Sequence, residues 1–265
     1  MNIFVREMKA NRKSLIIWCI GVILMVAAGM TKYEVVSSSG QYMNDIISSM
    51  PKSLQVMFGI ASFDLSKASG FYGVIFSYLV LMAAIHASML GSNIISKEER
   101  DKTAEFLMVK PVSRNKVVTS KLLAAFLNIV IFNAITLISS ITIVNYYAKN
   151  EKITHDIIIL MIGMFILQLM FLTIGTGIAA INKNPKIAVT TSTAILLITF
   201  ILSMIVDINS NLEGLKYIIP FKYYEAKNLM FGGGFDPIFL TISFIIIGVL
   251  LYITYVFYRK RDLNI

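Results

Sequence analysis

The chain has little of what a soluble protein of 265 residues carries. Only 15% of its residues are charged and 57% are hydrophobic, with a mean hydropathy of +0.74, whereas soluble domains contain about 25% charged residues. The single cysteine, Cys19, excludes an internal disulfide, and it lies in an apolar stretch where we expect it to pack. Two separated histidines and one cysteine make no ligand set, so we predict no metal site.

A nucleotide-binding motif is also missing. None of the 15 glycines is followed by a lysine, so the sequence contains no Walker-type P-loop. We interpret the glycine run 232–234 as a flexible hinge, and Asp236 with Pro237 is typical of the N-cap and first turn of a following helix. We predict a non-catalytic chain that binds no cofactor itself.

What the sequence has instead is six long apolar stretches separated by charged or turn-forming segments. At a rise of about 1.5 Å per residue, helices of this length cross a hydrocarbon layer about 30 Å thick. Helices are favoured because the stretches are too long and too evenly apolar for barrel strands. We predict one all-α polytopic membrane domain over residues 1–265, with spans at 15–36, 71–95, 117–147, 157–181, 187–206 and 238–258.

The basic residues divide unevenly between the two sides that these spans define. Of the 24 Lys and Arg residues, 16 fall in the N-terminal segment, the segments 96–121 and 183–186, and the C-terminal tail, while 8 lie on the opposite side in longer loops. Because cytoplasmic segments are enriched in Lys and Arg, we predict that both termini face the cytoplasm. Their position beside apolar spans indicates contact with lipid head groups and not with nucleic acid.

The N-terminal residues mix apolar and basic side chains, a pattern typical of an amphipathic helix in the inner head-group layer. We expect this helix to meet the first span at an elbow, and its candidate residues are Phe4, Arg6, Met8 and Arg12. A disordered basic tail that only orients the first span is the alternative. On the other side of the membrane, apolar residues at helical spacing before Pro51 predict a short amphipathic helix within 31–70.

The second span is suited to close packing, because Ala83, Ala87 and Gly91 repeat every four residues. The repeat leaves open whether the neighbouring helix belongs to the same chain or to a second copy. A few polar residues inside the spans have two roles open to them, hydrogen bonding between helices or lining a transport path: His86, Asn128, Asn133 and Gln168.

The densest charge cluster is the segment 96–116, between the second and third predicted spans. Ser96 with Glu99 fits a capping box for a short helix that Pro111 stops, and Ser113 can cap the next helix. This arrangement would expose an apolar patch suited to a protein partner; the alternative is a basic connector on anionic lipid. The patch comprises Phe106 and Leu107, ringed by Glu98, Glu99, Glu105, Lys110 and Arg114.

The run EERDKTAEFLMVKPVSR in this segment resembles the cytoplasmic signature of type-2 ATP-binding-cassette (ABC) permeases. Lys102 and Ala104 depart from the pattern of that family, and the matching residues are Glu98, Glu99, Thr103, Glu105, Leu107, Pro111, Val112, Ser113 and Arg114. Six spans, the N-terminal run REMKANRKSLIIW and the closing YRKRDL also fit, so the resemblance covers the whole chain.

The resemblance implies a permease subunit of an exporter in the bacterial cytoplasmic membrane. Its short cytoplasmic coupling helix, together with the N-terminal helix, would bind a separate ABC ATPase that holds ATP and Mg. Half of such a transporter has six spans, which implies a homodimer or a heterodimer with a similar permease. Peptides, antimicrobial compounds, lipid-linked molecules and sodium ions stay open as substrates. The expected coupling residues are Glu98, Glu99, Thr103, Glu105, Phe106, Leu107, Pro111 and Arg114.

Two other classes of protein are alternatives. A membrane-embedded protease that used Glu98 and Glu99 would need an arginine four residues later, where Thr103 stands, and histidines in later spans. An ion-coupled secondary carrier would place acidic residues within the membrane, and Asp207 stands at a predicted helix end. The sequence lacks most of the residues that these two alternatives need, so it favours the ABC permease.

Overall fold

The protein is seen in a computed structural model that describes residues 3–38, 41–61, 63–101, 112–148, 151–182 and 184–260. The described residues form α-helices and two short 3-10 helices, at 210–217 and 220–222, and contain no strand. The α-helices are α1 Ile3–Ser38, α2 Gln41–Ser49, α3 Lys52–Met57, α4 Ala68–Arg100, α5 Arg114–Ala148, α6 Thr154–Ile181, α7 Pro185–Ile208, α8 Ala226–Phe231 and α9 Pro237–Lys260.

Six of these helices, α1, α4, α5, α6, α7 and α9, are long and apolar enough to cross a membrane. They confirm the prediction of an all-α protein with six spans. Helix α2 also confirms the short helix predicted before Pro51.

The N-terminal segment and the first span form one uninterrupted helix. At about 1.5 Å per residue, the 36 residues of α1 are about 54 Å long, so the helix extends well beyond a hydrocarbon layer. The prediction of an elbow between the N-terminal helix and the first span is therefore wrong, because α1 is not broken there. The physical reason is local, because no glycine or proline interrupts α1 before Gly21.

Helices α4 and α6 form the centre of the bundle. In their apolar windows 61% and 67% of the residues are buried inside the chain, against 22% in α7 and 17% in α9. A Cβ added to Gly91 would lie 2.2 Å from the Leu172 carbonyl oxygen, and one added to Gly175 would lie 2.5 Å from that of Ser88. The small-residue repeat of α4 therefore packs against α6 of the same chain, which answers the question that the sequence left open.

The other spans surround this pair. Helix α1 packs against α4 and α5, α7 packs against α4 and α6, and α9 packs mainly against α6. Helices α7 and α9 keep large apolar side chains exposed, including Ile198, Phe244 and Tyr252. Such faces suit lipid or another membrane subunit.

Each crossing reverses the chain direction, so the bundle has two distinct ends. The basic end carries the starts of α1, α5 and α7 and the last turns of α4, α6 and α9. The opposite end carries α2, α3, α8 and both 3-10 helices.

The helix ends show which local predictions are right. The Ser113 hydroxyl accepts a hydrogen bond from the Lys116 amide at 3.4 Å, and Asp236 accepts one from the Ile238 amide at 2.8 Å, so both caps are confirmed. The capping box at Ser96 is wrong, because α4 continues through this residue and the Ser96 hydroxyl donates to the Ser92 carbonyl at 2.6 Å. Gly233 and Gly234 adopt positive φ in the turn before α9.

Candidate functional site

Glu98, one of the predicted coupling residues, lies at the centre of a buried set of ion pairs at the basic end. Its Oε1 accepts a hydrogen bond of 2.7 Å from the Arg6 guanidinium on α1, and its Oε2 accepts one from Lys121 Nζ on α5. Arg6 also donates to Glu7 at 2.8 Å, and Lys121 Nζ donates to the Ile94 carbonyl at 2.5 Å. Arg6, Glu7, Glu98 and Lys121 together form what we term the Glu98 cluster.

Three of the four side chains in the Glu98 cluster are buried, and that of Arg6 is 30% exposed. The side chains of Lys121 and Glu7 are fully buried, and that of Glu98 is 7% exposed. Removing one partner of a buried pair costs about 3–5 kcal/mol, because an uncompensated charge stays behind. Two cations and two carboxylates balance each other here, so the cluster holds α1, α4 and α5 in one arrangement.

This placement differs from the exposed ring of charges that we predicted around Phe106. Glu98 faces α1 and α5, since Arg6 and Lys121 supply the two cations that its carboxylate needs once it is buried. Its side chain is therefore not part of an exposed rim. Glu99, the next residue on α4, is half-buried.

Five of the eight predicted coupling residues fall in 102–111, outside the described residues: Thr103, Glu105, Phe106, Leu107 and Pro111. The structure describes the two helices that bracket this segment. Helix α4 ends at Arg100, two residues after Glu98, and α5 begins at Arg114, seven residues before Lys121. The Arg114 guanidinium donates to the Arg259 carbonyl at 2.8 Å, which joins the start of α5 to the end of α9. The Glu98 cluster therefore lies directly beside both ends of the predicted coupling segment.

The residues of the predicted interfacial helix divide by their surroundings. Phe4 and Met8 are half-buried and pack against the apolar core, Arg6 joins the Glu98 cluster, and Arg12 is exposed. The apolar side of this helical segment is thus covered in part by protein. Lipid contact stays a prediction for its outer face.

Two of the intramembrane polar residues bridge the central helices. The Asn133 amide on α5 donates to the Gln168 side chain on α6, and Gln168 Nε2 lies 3.4 Å from the Ala83 carbonyl of α4. Asn128 donates to the Ala124 carbonyl at 2.7 Å, and its amide nitrogen lies 3.2 Å from the Met8 sulfur on α1. Hydroxyl pairs Ser92–Ser192 and Thr176–Thr254 add further links between helices. These contacts place the amides between helices, where they can hold the bundle together.

His86 is different, because its Nδ1 has no hydrogen-bond partner among the described residues. The residue is 3% exposed, and its ring stacks on Phe132 at a centroid distance of 4.9 Å and contacts Trp18 at 5.6 Å. A buried polar atom without a partner is uncommon in folded proteins. Of the four candidate path residues, two have a buried side-chain atom without a partner among the described residues: His86 at Nδ1 and Asn133 at Oδ1.

A second ion-pair set lies at the opposite end of the bundle. Lys222 is 6% exposed and donates to both Asp207, in the last turn of α7, and Glu225, just before α8. We term these three residues the Lys222 cluster. Burial, together with the nearby Asp207 charge, raises the pKa of Glu225 above its ordinary value even though Lys222 opposes the shift.

Sequence reasoning missed Lys121, Glu7 and the Lys222 cluster. Lys121 stands at the start of an apolar run, where a lysine is normally interpreted as a flank that reaches the head groups. Glu7 offered a weak signal, because it is the only acidic residue before Glu34 and lies among four basic residues. Neither signal points to Glu98 as the centre of the cluster. Glu98 is 92 residues from Arg6 and 23 residues from Lys121 in sequence.

The six spanning helices, the buried ion pairs and the polar contacts between helices define a multi-pass helical membrane protein. In the residues that the structure describes, no group of three His, Cys, Asp or Glu side chains is arranged to hold a metal ion.

Comparison with protein families gives the particular class. The model described as "ABC-2 family transporter protein" matches residues 1–263, so the chain belongs to the ABC-2 transporter family. This match covers nearly the whole chain and confirms the resemblance found at the charged segment. Among curated proteins, the comparison found no match. The chain is thus an ABC transporter permease, in agreement with its six apolar helices.

Proposed function

We propose that this permease is the non-catalytic subunit of an exporter and that a separate cytoplasmic ATPase drives it. ATP and Mg bind on that ATPase, since the permease sequence contains no P-loop. The observation that supports the proposal most is the position of the Glu98 cluster, beside both ends of the segment that resembles the family's coupling helix.

The Glu98 cluster gives the coupling segment a rigid base. When the ATPase displaces this segment, the ends of α4 and α5 move with it, and the Arg6–Glu98 pair carries α1 along. Closely packed interiors deform little, so a displacement of this kind moves the helices as a body. Glu98 is thereby a positioning residue, while Glu99, Thr103, Glu105, Phe106, Leu107, Pro111 and Arg114 are the residues proposed to bear on the ATPase contact.

The orientation follows from the distribution of basic residues. The basic end, with both termini, faces the cytoplasm of a bacterial cell, where ATP and the ATPase are present. The opposite end, with the Lys222 cluster, faces outward. Lipid head groups surround the basic flanks of the spans, and nucleic acid has no part in this function.

Two permease subunits form the complete path, either two copies of this chain or this chain with a similar permease. The little-buried faces of α7 and α9 are available for that contact as well as for lipid. The transported molecule is one of the classes open to the family, which range from peptides and antimicrobial compounds to lipid-linked molecules and sodium ions.

The ATPase assignment is tested by purifying tagged permease from its native membrane and measuring vanadate-sensitive ATPase activity in the purified material. We expect activity to accompany the unaltered chain, and Glu105→Lys or Phe106→Ala to reduce the accompanying activity at least about tenfold, the equivalent of about 1.4 kcal/mol of binding. Glu213→Lys at the opposite end is the matched control for charge reversal, because Glu213 is exposed and its ion pair is with Lys216, three residues away.

If the two coupling variants are inserted in the membrane in normal amounts and retain as much ATPase activity as Glu213→Lys, the segment does not contact the ATPase. Activity that persists in permease freed of all other polypeptides would instead place hydrolysis on this chain.

A further inference from the structure

A cavity of about 230 Å³ lies between α1 and α4 in the half of the bundle nearest the basic end. This volume is far above the roughly 10–15 Å³ that a single water needs by the same kind of measure. Helix α1 contributes the residues from Ala10 to Trp18 that face it, α4 contributes residues from His86 to Arg100, and α5 contributes Asn128. The cavity is separate from the Glu98 cluster, whose four residues do not line it.

The deep part of the cavity contains His86. This side chain is 3% exposed, and its Nδ1 has no partner in the part of the chain that the structure describes. Trp18 and Phe132 contact its ring, and Trp18 also lines the cavity. Nδ1 itself is closed to water, but the imidazole ring lines the cavity, and a neutral imidazole can donate and accept hydrogen bonds.

The outer part of the cavity is cationic. Lys97 and Arg100 line it, and the Arg100 guanidinium donates to the Asn93 side chain at 2.8 Å, which brings its charge back along α4 toward the cavity. Arg100 also pairs with Asp101 at 3.0 Å, so part of its charge is balanced. No carboxylate is present among the described lining residues, and Glu98, next to Lys97, is occupied by Arg6 and Lys121.

The spacing between these two parts selects the shape of a ligand. Asn93, where Arg100 is held, lies seven residues beyond His86 on α4, which is about 10 Å along the helix axis. The walls between and around them are mixed, with apolar Leu15, Met89 and Leu90 and polar Asn11, Ser14 and Asn128. A head group held at Arg100 and Lys97 would therefore be followed by a short linker that reaches His86 and by an apolar chain.

We propose that this cavity binds an amphiphile with an anionic phosphate or carboxylate head, a hydroxyl, ester or amide group within about 10 Å of it, and an apolar chain. Lys97 and Arg100 hold the head, the polar group of the linker bonds the imidazole of His86, and the chain lies along Leu15, Trp18 and Leu90. The binding site lies within the permease alone and does not depend on an ATPase.

Trp18 provides a native reporter, because it is the only tryptophan in the chain and it lines the cavity. Purified permease in phosphatidylcholine vesicles is titrated with lauroyl lysophosphatidic acid while Trp18 fluorescence is recorded. We expect a saturable change. We expect Lys97→Gln, at the accessible part of the cavity, to weaken the apparent affinity at least about fivefold. Lys9→Gln is the matched control, since Lys9 on α1 is exposed at the same end of the bundle as Lys97 and does not line the cavity.

Three comparison ligands separate the features of the amphiphile. Lauroyl lysophosphatidylcholine keeps the chain and loses the net negative charge, dodecyl phosphate keeps the charge and the chain but has no linker group, and inorganic phosphate has no chain. We expect all three to bind more weakly than lysophosphatidic acid. His86→Phe keeps an aromatic ring between Trp18 and Phe132, and it should weaken lysophosphatidic acid binding while leaving dodecyl phosphate binding unchanged.

Several results would overturn the proposal. A linear, unsaturable response, or equal affinity for the zwitterionic lipid, would mean that the fluorescence reports membrane partitioning. Equal affinity for inorganic phosphate would remove the role of the chain, and unchanged binding in Lys97→Gln would remove the role of the cationic rim. Unchanged lysophosphatidic acid binding in His86→Phe would show that the imidazole of His86 does not bond the ligand. The assay contains neither ATP nor ATPase, so its outcome is independent of the coupling experiment above.

Discussion

The two ends of the bundle each contain a buried lysine in a set of ion pairs, but the two sets connect different parts of the chain. At the basic end, Lys121 and Arg6 bind Glu98 and connect α1, α4 and α5, which are far apart in sequence. At the opposite end, Lys222 binds Asp207 and Glu225, which are 15 and 3 residues away, and connects one span to the loop that follows it. The Glu98 cluster thus joins three long helices, whereas the Lys222 cluster joins positions within residues 207–225.

The exposure of the acidic partners adds to this contrast. The Glu98 side chain is 7% exposed, whereas those of Asp207 and Glu225 are 46% and 29% exposed. An acid that can reach water loses less when its cation is removed. The Glu98 cluster, at the end proposed to receive force from the ATPase, is therefore stiff. The Lys222 cluster, at the end proposed to face outward, can rearrange at a lower cost in free energy.

The largest expected effect comes from making the same substitution in both clusters. We expect Lys121→Met to lower the free energy of unfolding by about 3 kcal/mol, because Glu98 stays buried with only part of its charge compensated. Lys222→Met should cost about 1–2 kcal/mol, since water can solvate Asp207 and Glu225. Unfolding by SDS in mixed micelles measures both. Equal losses in the two variants would remove the distinction between the ends.

A smaller effect is expected where α4 and α6 meet. Gly91→Ala places a Cβ 2.2 Å from the Leu172 carbonyl oxygen, so the helices must separate, at a cost of about 1–3 kcal/mol. Gly248→Ala on α9 is the matched control, because nothing lies within 4 Å of the added atom. In an exposed helix position this control should be neutral or stabilising by up to about 1 kcal/mol. If the two alanine variants unfold alike, α4 and α6 do not pack as closely as described.

The smallest effect concerns the pH dependence of stability at the opposite end. Because burial raises the pKa of Glu225, the protonated acid is favoured in the folded state. Its stabilising contribution is fully present below the ordinary pKa of a glutamate, about 4.5, and is lost as the pH rises through the raised pKa. Hydrogen exchange of residues 209–231 at several pH values should show this loss of protection, and Glu225→Gln should abolish it. A Glu225→Gln profile that matches the unaltered chain would contradict the assignment.

The sequence predicted those parts of the fold that depend on local rules. Six apolar stretches gave six spans, and Ser113 and Asp236 cap the helices where their residue types indicate. The predictions from sequence were wrong where contacts between helices determine the structure. Ser96 was interpreted as a helix start although α4 runs through it, and the elbow in α1 was expected although no residue there breaks a helix.

The candidate site shows the same limit. A local reading places Glu98 on an exposed rim, because its neighbours in sequence are charged, and only the approach of Arg6 and Lys121 from other helices explains its burial. The unused Nδ1 of His86 is likewise set by what surrounds it in space. Pairing across 92 residues of chain is a property of the packed bundle, and no periodicity in one segment encodes it.

The central claim is that the basic end, with the coupling segment, faces the ATPase in the cytoplasm and the Lys222 cluster faces outward. Single cysteines at Lys116 and Glu213, both exposed and at opposite ends, test it by labelling whole cells with a membrane-impermeant maleimide, since the native Cys19 is buried. The account predicts that Glu213→Cys is labelled in intact cells and that Lys116→Cys is labelled only after the membrane is opened. Labelling of Lys116→Cys in intact cells, with Glu213→Cys protected, would contradict it.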